Sequence, residues 1–316
     1  MKNFTSFNDV DDINQLIALS QQIKKSPFGY KQYGENKTLG MLFFNPSLRT
    51  RMSTQKAAMN LGMNVMVMNL NSDGWSIELE DGTVMDQGTQ EHIKEAAGVI
   101  SQYCDIIGIR TFAELNNKQE DYNEKILTKF MEHASVPIIS LESAIRHPLQ
   151  SFADVLTINE FKKREKPKVV LTWAPHPKAL PQAVSNSFAE WMSNADVDLV
   201  ITNPSGYDLA PEFTNGIDLI HDQNEALKDA DFVYAKNWSS YTNYGKIGTE
   251  LDDWIITKEK MELTNNGKFM HCLPVRRNVV VTDEVLDAKN TLVLQQANNR
   301  TLAAQTVLLS LLQNEK

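Results

Sequence analysis

The chain has 316 residues, 42% of them hydrophobic, and its 31 Lys and Arg stand against 40 Asp and Glu for a formal charge of −9. That length is too great for one ordinary hydrophobic core and suits two domains, while an acidic balance without a Lys/Arg block excludes a broad nucleic-acid surface, because neutralising phosphates takes a concentrated basic face. Two cysteines exclude a disulfide framework, and neither Cys104 nor Cys272 lies in a Cys-x-x-Cys pair suited to zinc or redox work, so no metal and no cofactor are expected.

The first sixteen residues, MKNFTSFNDVDDINQL, carry Asp where a signal peptide needs an apolar stretch. No apolar run of about 18 residues follows anywhere, so no membrane partner and a cytoplasmic location are expected. In chain order, a β-rich run at Thr38–Phe44 leads into a helical pattern at Ser47–Leu61, then a strand at Asn64–Asn69 and a helix at Glu91–Tyr103. Strand Asp105–Arg110, helix Asn123–His133 and strand Val136–Ser140 follow, and then helix Ser151–Lys162, strand Lys168–Trp173 and helix Pro181–Ser193. Strands Asp198–Thr202, Asp231–Lys236, Phe269–Cys272 and Thr291–Leu294 precede a last helix at Asn298–Leu312. Continuously apolar strands lie buried in parallel sheets, and strand–helix alternation over this length predicts an α/β fold with two doubly wound parallel sheets. The polar turn Arg146–His147–Pro148 marks the expected boundary, giving domains of residues 1–146 and 147–297, with residues 298–316 packing back on the first.

Three segments carry chemistry. Phe43-Phe44-Asn45-Pro46-Ser47-Leu48-Arg49-Thr50-Arg51 runs from a strand through a Pro turn into a helix, with Ser47 the expected N-cap. Free N–H groups at a helix start, two arginines and two hydroxyls within five residues make a compact anion receptor suited to phosphate. Arg146-His147-Pro148-Leu149-Gln150-Ser151-Phe152-Ala153-Asp154 and His271-Cys272-Leu273-Pro274-Val275-Arg276-Arg277 both follow apolar strands, where open α/β sheets place ligands. By itself a His-Pro is a turn, and Cys272 reads as a small buried hydrophobe whose backbone carbonyl matters more than its sulfur. Neither Gly-x4-Gly-Lys-Ser/Thr nor Gly-x-Gly-x-x-Gly occurs, so nucleotide loops and a nicotinamide-dependent oxidoreductase have no support.

Together these segments resemble the aspartate/ornithine carbamoyltransferase family, whose motifs are S-x-R-T-R, H-P-x-Q and H-C-L-P, in matching order from about Thr38 to Leu309. The resemblance implies a carbamoyl phosphate domain first, an amino-acid domain second, a homotrimer with active sites between subunits, and no metal. It assigns phosphate to Ser47, Leu48, Arg49 and Thr50, assisted by Arg110 and Arg300. Thr50, Arg110 and His147 are expected to polarise the carbonyl oxygen as it becomes an oxyanion. Gln150 and the carbonyls of Cys272 and Leu273 are expected to accept from the carbamoyl amide.

Free-ornithine members carry D-x-W-x-S-M-G, whose Asp pairs with the α-ammonium. Here the matching strand end reads Tyr234-Ala235-Lys236-Asn237-Trp238-Ser239-Ser240-Tyr241, which puts a cation where an anion is needed. Acylating the α-nitrogen removes its charge, and Lys236 can then hold a carboxylate. Leu141-Glu142, Trp173-Ala174-Pro175-His176-Pro177, Lys236-Asn237-Trp238 and Pro274-Val275-Arg276-Arg277-Asn278 resemble the branch acting on N-acylated ornithines. That branch implies Trp75 from a neighbouring subunit at the carbamoyl phosphate site, Glu142, His176, Lys236 and Arg276 around the acylated amino acid, and a knotted crossing in the second domain, near the second substrate site. At Gln90, acetyl-specific relatives place Glu and succinyl-specific ones Pro; a neutral amide does not repel a second carboxylate. The expected acceptor is N-succinylornithine, with N-acetylornithine the alternative and a non-catalytic phosphate-binding relative the reading from a different class.

Overall fold

The computed structural model describes residues 1–248 and 251–314. Its strands are β1 Thr38–Phe43, β2 Asn64–Asn69, β3 Ile77–Glu78, β4 Glu91–His92, β5 Ile106–Arg110, β6 Ile138–Glu142, β7 Lys168–Trp173, β8 Asp198–Thr202, β9 Asp218–Ile220, β10 Phe232–Lys236 and β11 Lys268–Met270. They form a four-stranded sheet of order β2-β1-β5-β6, a five-stranded sheet of order β11-β10-β7-β8-β9 and the short pair β3-β4, with parallel pairing throughout. The chain divides into two compact units, the first comprising Met1–Glu114, Gln119–Leu149 and the residues from Arg300 onward, the second Leu115–Lys118 and Gln150–Asn299. The division falls inside helices Pro148–Phe161 and Val293–Asn314. Residues 315 and 316, the end of the expected carboxyl-terminal segment, lie outside the described residues.

Apolar runs go to the centre of each sheet because both faces there are covered. All of β5, β6 and β10 is buried, as is all but the first residue of β1 and β7. In the first unit Leu42, Ile107, Ile109, Ile93, Phe130 and Ile138 form one core; in the second, Val170, Val233, Phe269, Ile256, Val281 and Leu286 form another. Burying each such side chain contributes about 1.5–3 kcal/mol before chain entropy is set against it. Gly40 of β1 is required for a close approach: a Cβ there would lie 2.5 Å from Cys104 Sγ. Burial raises the pKa of Cys104, which packs as a small apolar group.

Four local expectations are corrected. Thr291–Leu294 makes a single bridge, Phe269↔Thr291, and helix Val293–Asn314 begins within it, so its β-branched start was outweighed by the helical periodicity that follows. Ser47 does not cap the next helix: that helix starts at Arg49, and its N-cap, Leu48, makes no side-chain cap bond. Helix Ile13–Lys25 stands outside the expected elements although Ile13, Leu16, Ile17 and Ile23 recur at helical spacing; Asp12 caps it, accepting from the N–H groups of Asn14 and Gln15 at 2.8 and 3.2 Å. Strand β9, three residues at a sheet edge, is too short for a period-2 signal. No helix among the described residues is long and apolar enough to cross a membrane.

Candidate functional site

In each sheet the chain reverses its direction of winding once, and ligands in open parallel sheets bind beyond the carboxyl ends of the strands at that point. In the first sheet the reversal lies between β1 and β5, whose ends deliver the segment from Phe44 to Arg51 and the residue Arg110. In the second it lies between β7 and β10, whose register pairs Trp173 with Lys236 and places His176 just beyond. The chemistry expected from the motifs collects at these two places.

In the first unit Thr50 is the hub. Helix Arg49–Asn60 starts where β1 ends, so Thr50 sits in the first turn, 2% exposed. Its Oγ1 accepts from Arg110 Nη1 at 2.9 Å and from Arg300 Nη2 at 2.6 Å. With both lone pairs of the hydroxyl engaged by guanidinium donors, its proton is left to point at a ligand. Arg110 Nη1 also lies 2.8 Å from Glu142 Oε2, and its guanidinium carbon stands 4.5 Å from the centre of the Phe112 ring. Burial lowers the pKa of Arg110, with Glu142 opposing and Arg49 adding to the fall; a guanidinium that titrates so far above neutral pH stays charged. The Nε atoms of Arg49, Arg51 and Arg110 are buried and meet no acceptor among the described residues. Three such donors beside a buried hydroxyl form a receptor for an anion.

His147 is 3% exposed, and its Nε2 lies 3.5 Å from Glu142 Oε2. Burial, and behind it the charges of Arg300 and Arg110, hold its pKa well below the usual imidazole value. The ring is therefore neutral at pH 7, with one N–H to give. Nδ1 is buried and without a partner among the described residues. Glu142, expected among the acylornithine ligands, pairs with Arg110 and faces His147. Ser47 and Leu48 lead into this cluster, Leu48 65% exposed with its carbonyl accepting from the Met52 N–H at 3.1 Å.

Trp75 and Gln90 do not join the cluster. Trp75 is 59% exposed, with Nε1 donating to Glu91 Oε2 at 2.7 Å. Gln90 is exposed and accepts through Oε1 from the Ser76 N–H at 3.2 Å, so the loop joining β3 to β4 is pinned at both ends.

In the second unit His176, Lys236 and Arg276 come together. Arg276 Nε donates to His176 Nε2 at 3.1 Å, which fixes the other nitrogen as the one that donates to Lys178 O at 2.8 Å. Burial is the main cause lowering the His176 pKa, and the nearby charges of Lys236 and Arg276 push the same way. Lys236, 8% exposed, donates to Asn237 O at 3.1 Å, leaving two N–H groups for a ligand. Two cations and a neutral imidazole in one place suit carboxylates. Cys272 is buried, Leu273 half-buried with a φ of 57°, and Gln150 fully buried.

The motifs gave no role to Asp154, Gln296 and Tyr234, which surround Gln150 and Cys272, or to Glu91, which holds Trp75. The available signal was spacing: Gln150, Asp154 and Thr157 recur along one face of helix Pro148–Phe161, as Gln296, Asn299 and Arg300 do on the last helix.

Residues 2–160 match the family model described as aspartate/ornithine carbamoyltransferase, carbamoyl-P binding domain, and residues 181–311 match its Asp/Orn binding domain. The chain is 52% identical to an N-succinylornithine carbamoyltransferase of Bacteroides fragilis, covering 99% of each. It is 34% identical to an N-acetylornithine carbamoyltransferase of Xanthomonas axonopodis pv. citri, over 98% of this chain and 96% of that one. Its fold is similar to a mutant N-acetyl-L-ornithine transcarbamylase complexed with carbamyl phosphate and N-succinyl-L-norvaline, at a TM-score of 0.92 and 34% identity, covering 98% of this chain and 100% of that one.

Proposed function

The chain belongs to the aspartate/ornithine carbamoyltransferase family, and from that premise we propose that it transfers the carbamoyl group of carbamoyl phosphate to the δ-amine of N2-succinyl-L-ornithine, yielding N-succinyl-L-citrulline and phosphate for arginine biosynthesis. One observation carries the choice of acceptor: identity rises from 34% with an acetylornithine enzyme to 52% with a succinylornithine enzyme, each over nearly the whole chain. The absence of an Asp at the Lys236 strand end supports an acylated acceptor, because a free α-ammonium would be repelled there.

Residues 1–146, with the carboxyl-terminal helix, are assigned to carbamoyl phosphate and residues 147–297 to the acylated amino acid. Arg49, Arg110, Arg300 and the backbone of Ser47 and Leu48 take the phosphate. The Thr50 proton, Arg110 and the neutral His147 meet the carbonyl oxygen as charge develops on it, where fixed donors accelerate most. Gln150 and the carbonyls of Cys272 and Leu273 accept from the amide. The uncharged δ-nitrogen attacks the carbamoyl carbon, the C–O bond to phosphate breaks, and the nitrogen sheds one proton. His176, Lys236 and Arg276 hold the carboxylates, with Glu142 and Gln90 assigned to the same substrate. Trp75 comes from a neighbouring protomer of a cytoplasmic homotrimer, and the second domain is assigned the knotted crossing that the resemblance implies.

The test compares turnover with free, acetyl- and succinyl-ornithine side by side. The expected order is succinyl first, with free ornithine a very poor acceptor; equal rates with free and succinylated ornithine would refute the role of Lys236, and acetyl in first place would refute the acceptor. Arg49→Ala is expected to leave the circular dichroism spectrum unchanged and lower kcat/KM by at least about 100-fold. Unchanged kinetics in that variant remove the arginine from the phosphate site.

A further inference from the structure

Asp154 is fully buried in helix Pro148–Phe161, and nothing above uses its carboxylate. It lies one turn beyond Gln150 on the same helix face. Its Oδ1 accepts from Gln150 Nε2 at 2.8 Å and from Gln296 Nε2 at 2.7 Å. Gln296, itself fully buried, accepts through Oε1 from the His271 N–H at 3.0 Å, immediately before Cys272 and Leu273. The buried phenol of Tyr234 completes the surroundings: burial, then the charge of Asp154, raises its pKa well above the usual value.

A carboxylate accepts hydrogen bonds and has none to give, so the Gln150 atom facing Asp154 is the NH₂. The other end of that amide, Oε1, is thereby turned away from Asp154, buried and without a donor among the described residues. A buried carbonyl oxygen left without a donor is costly, which favours a ligand that brings an N–H to it. We propose that Asp154 is the positioning residue that holds Gln150 Oε1 as the acceptor for the carbamoyl NH₂, and thereby sets the preference for carbamoyl phosphate over acyl phosphates. This deepens the reading of the function given above and rests on it. Acetyl phosphate brings the same phosphate and carbonyl but a methyl group in place of the amide, so it leaves Oε1 unpaired. Without Asp154 the Gln150 amide can turn over, and the distinction between the two ligands fades.

The experiment measures Kd for carbamoyl phosphate, acetyl phosphate and inorganic phosphate on the full chain and on Asp154→Ala, Asp154→Asn, Gln150→Leu and the Gln150→Leu, Asp154→Ala double variant. In Asp154→Ala the ratio of the acetyl phosphate to the carbamoyl phosphate Kd is expected to narrow by at least about tenfold while inorganic phosphate binding holds. Asp154→Asn, nearly the same shape, narrows the ratio by more than about twofold and keeps the test open if the Ala variant fails to fold. In the Gln150→Leu background the Asp154 substitution changes the ratio no further. A ratio preserved in the folded Asp154 variants, or a further fall in the double variant, overturns the proposal. A wild-type chain that binds none of the three anions overturns the functional reading itself, and the proposal with it.

Discussion

His147 shows how a residue's surroundings decide what it can do. A lone His before Pro is ordinarily a turn residue, but here it is 3% exposed among Arg110, Arg300 and Glu142. Burial and the two arginines depress its pKa, so the native chain resists taking up a proton that the unfolded chain accepts near pH 6.5. The stability it contributes is fully present above that pH and is lost as the pH falls below it, at a slope of up to about 1.4 kcal/mol per unit. Urea midpoints followed from pH 7.5 to 5 should fall more steeply for the wild type than for His147→Gln; parallel curves contradict a depressed imidazole. Ser47, Arg49 and Thr50 stood out as a candidate anion receptor because their motif is local and its chemistry is plain, whereas Arg110, His147 and Arg300 entered only through the family resemblance. Asp154 and Gln296 did neither: one is four residues after Gln150, the other far along the chain, and only folding makes them partners.

At the scale of elements, central strands follow from composition and edge strands do not. β5 and β6 are buried along their whole length, as continuous apolar runs should be. β2 is nearly as apolar, yet it lies at a sheet edge with alternate residues exposed. Pairing order is a non-local property, and no local pattern in Asn64–Asn69 announces it. The contact of Gly40 with Cys104 is also non-local. Gly40→Ala is expected to destabilise by about 1–3 kcal/mol through overpacking, and Cys104→Ala in the same chain to recover part of that. Urea denaturation reads both changes; an unaffected Gly40→Ala midpoint means the strand yields more easily than close packing allows. The misplaced strand at Thr291–Leu294 failed for a related reason: β-branched residues at a helix start carry the same local signal as those in a strand.

At the scale of the molecule, the first unit leaves Met52 64%, Met59 61%, Met66 55% and Met68 41% exposed on helix Arg49–Asn60 and the edge strand β2. Exposed apolar side chains grouped in this way mark an interaction surface, and they support the homotrimer proposed above. Met66→Lys with Met52→Glu is expected to reduce the mass seen by light scattering to that of a single chain, and to lower turnover where Trp75 must come from a neighbour. A single-chain mass in the wild type removes the trimer. By itself the order of residues determined the α/β class, the family, the cluster of arginines and hydroxyls at the turn after β1 and the cation at the end of β10, because each rests on neighbours within a few positions. Only the tertiary structure decided which side chains become partners within each unit: Glu142 on Arg110 in the first, Arg276 on His176 and Asp154 between Gln150 and Gln296 in the second. Those partners lie from 4 to 142 positions apart; Arg276 meets His176 at the exposed end of the second sheet, while Arg110, Glu142, Gln150, Asp154 and Gln296 are selected by the burial of polar groups that must be paired once water is gone.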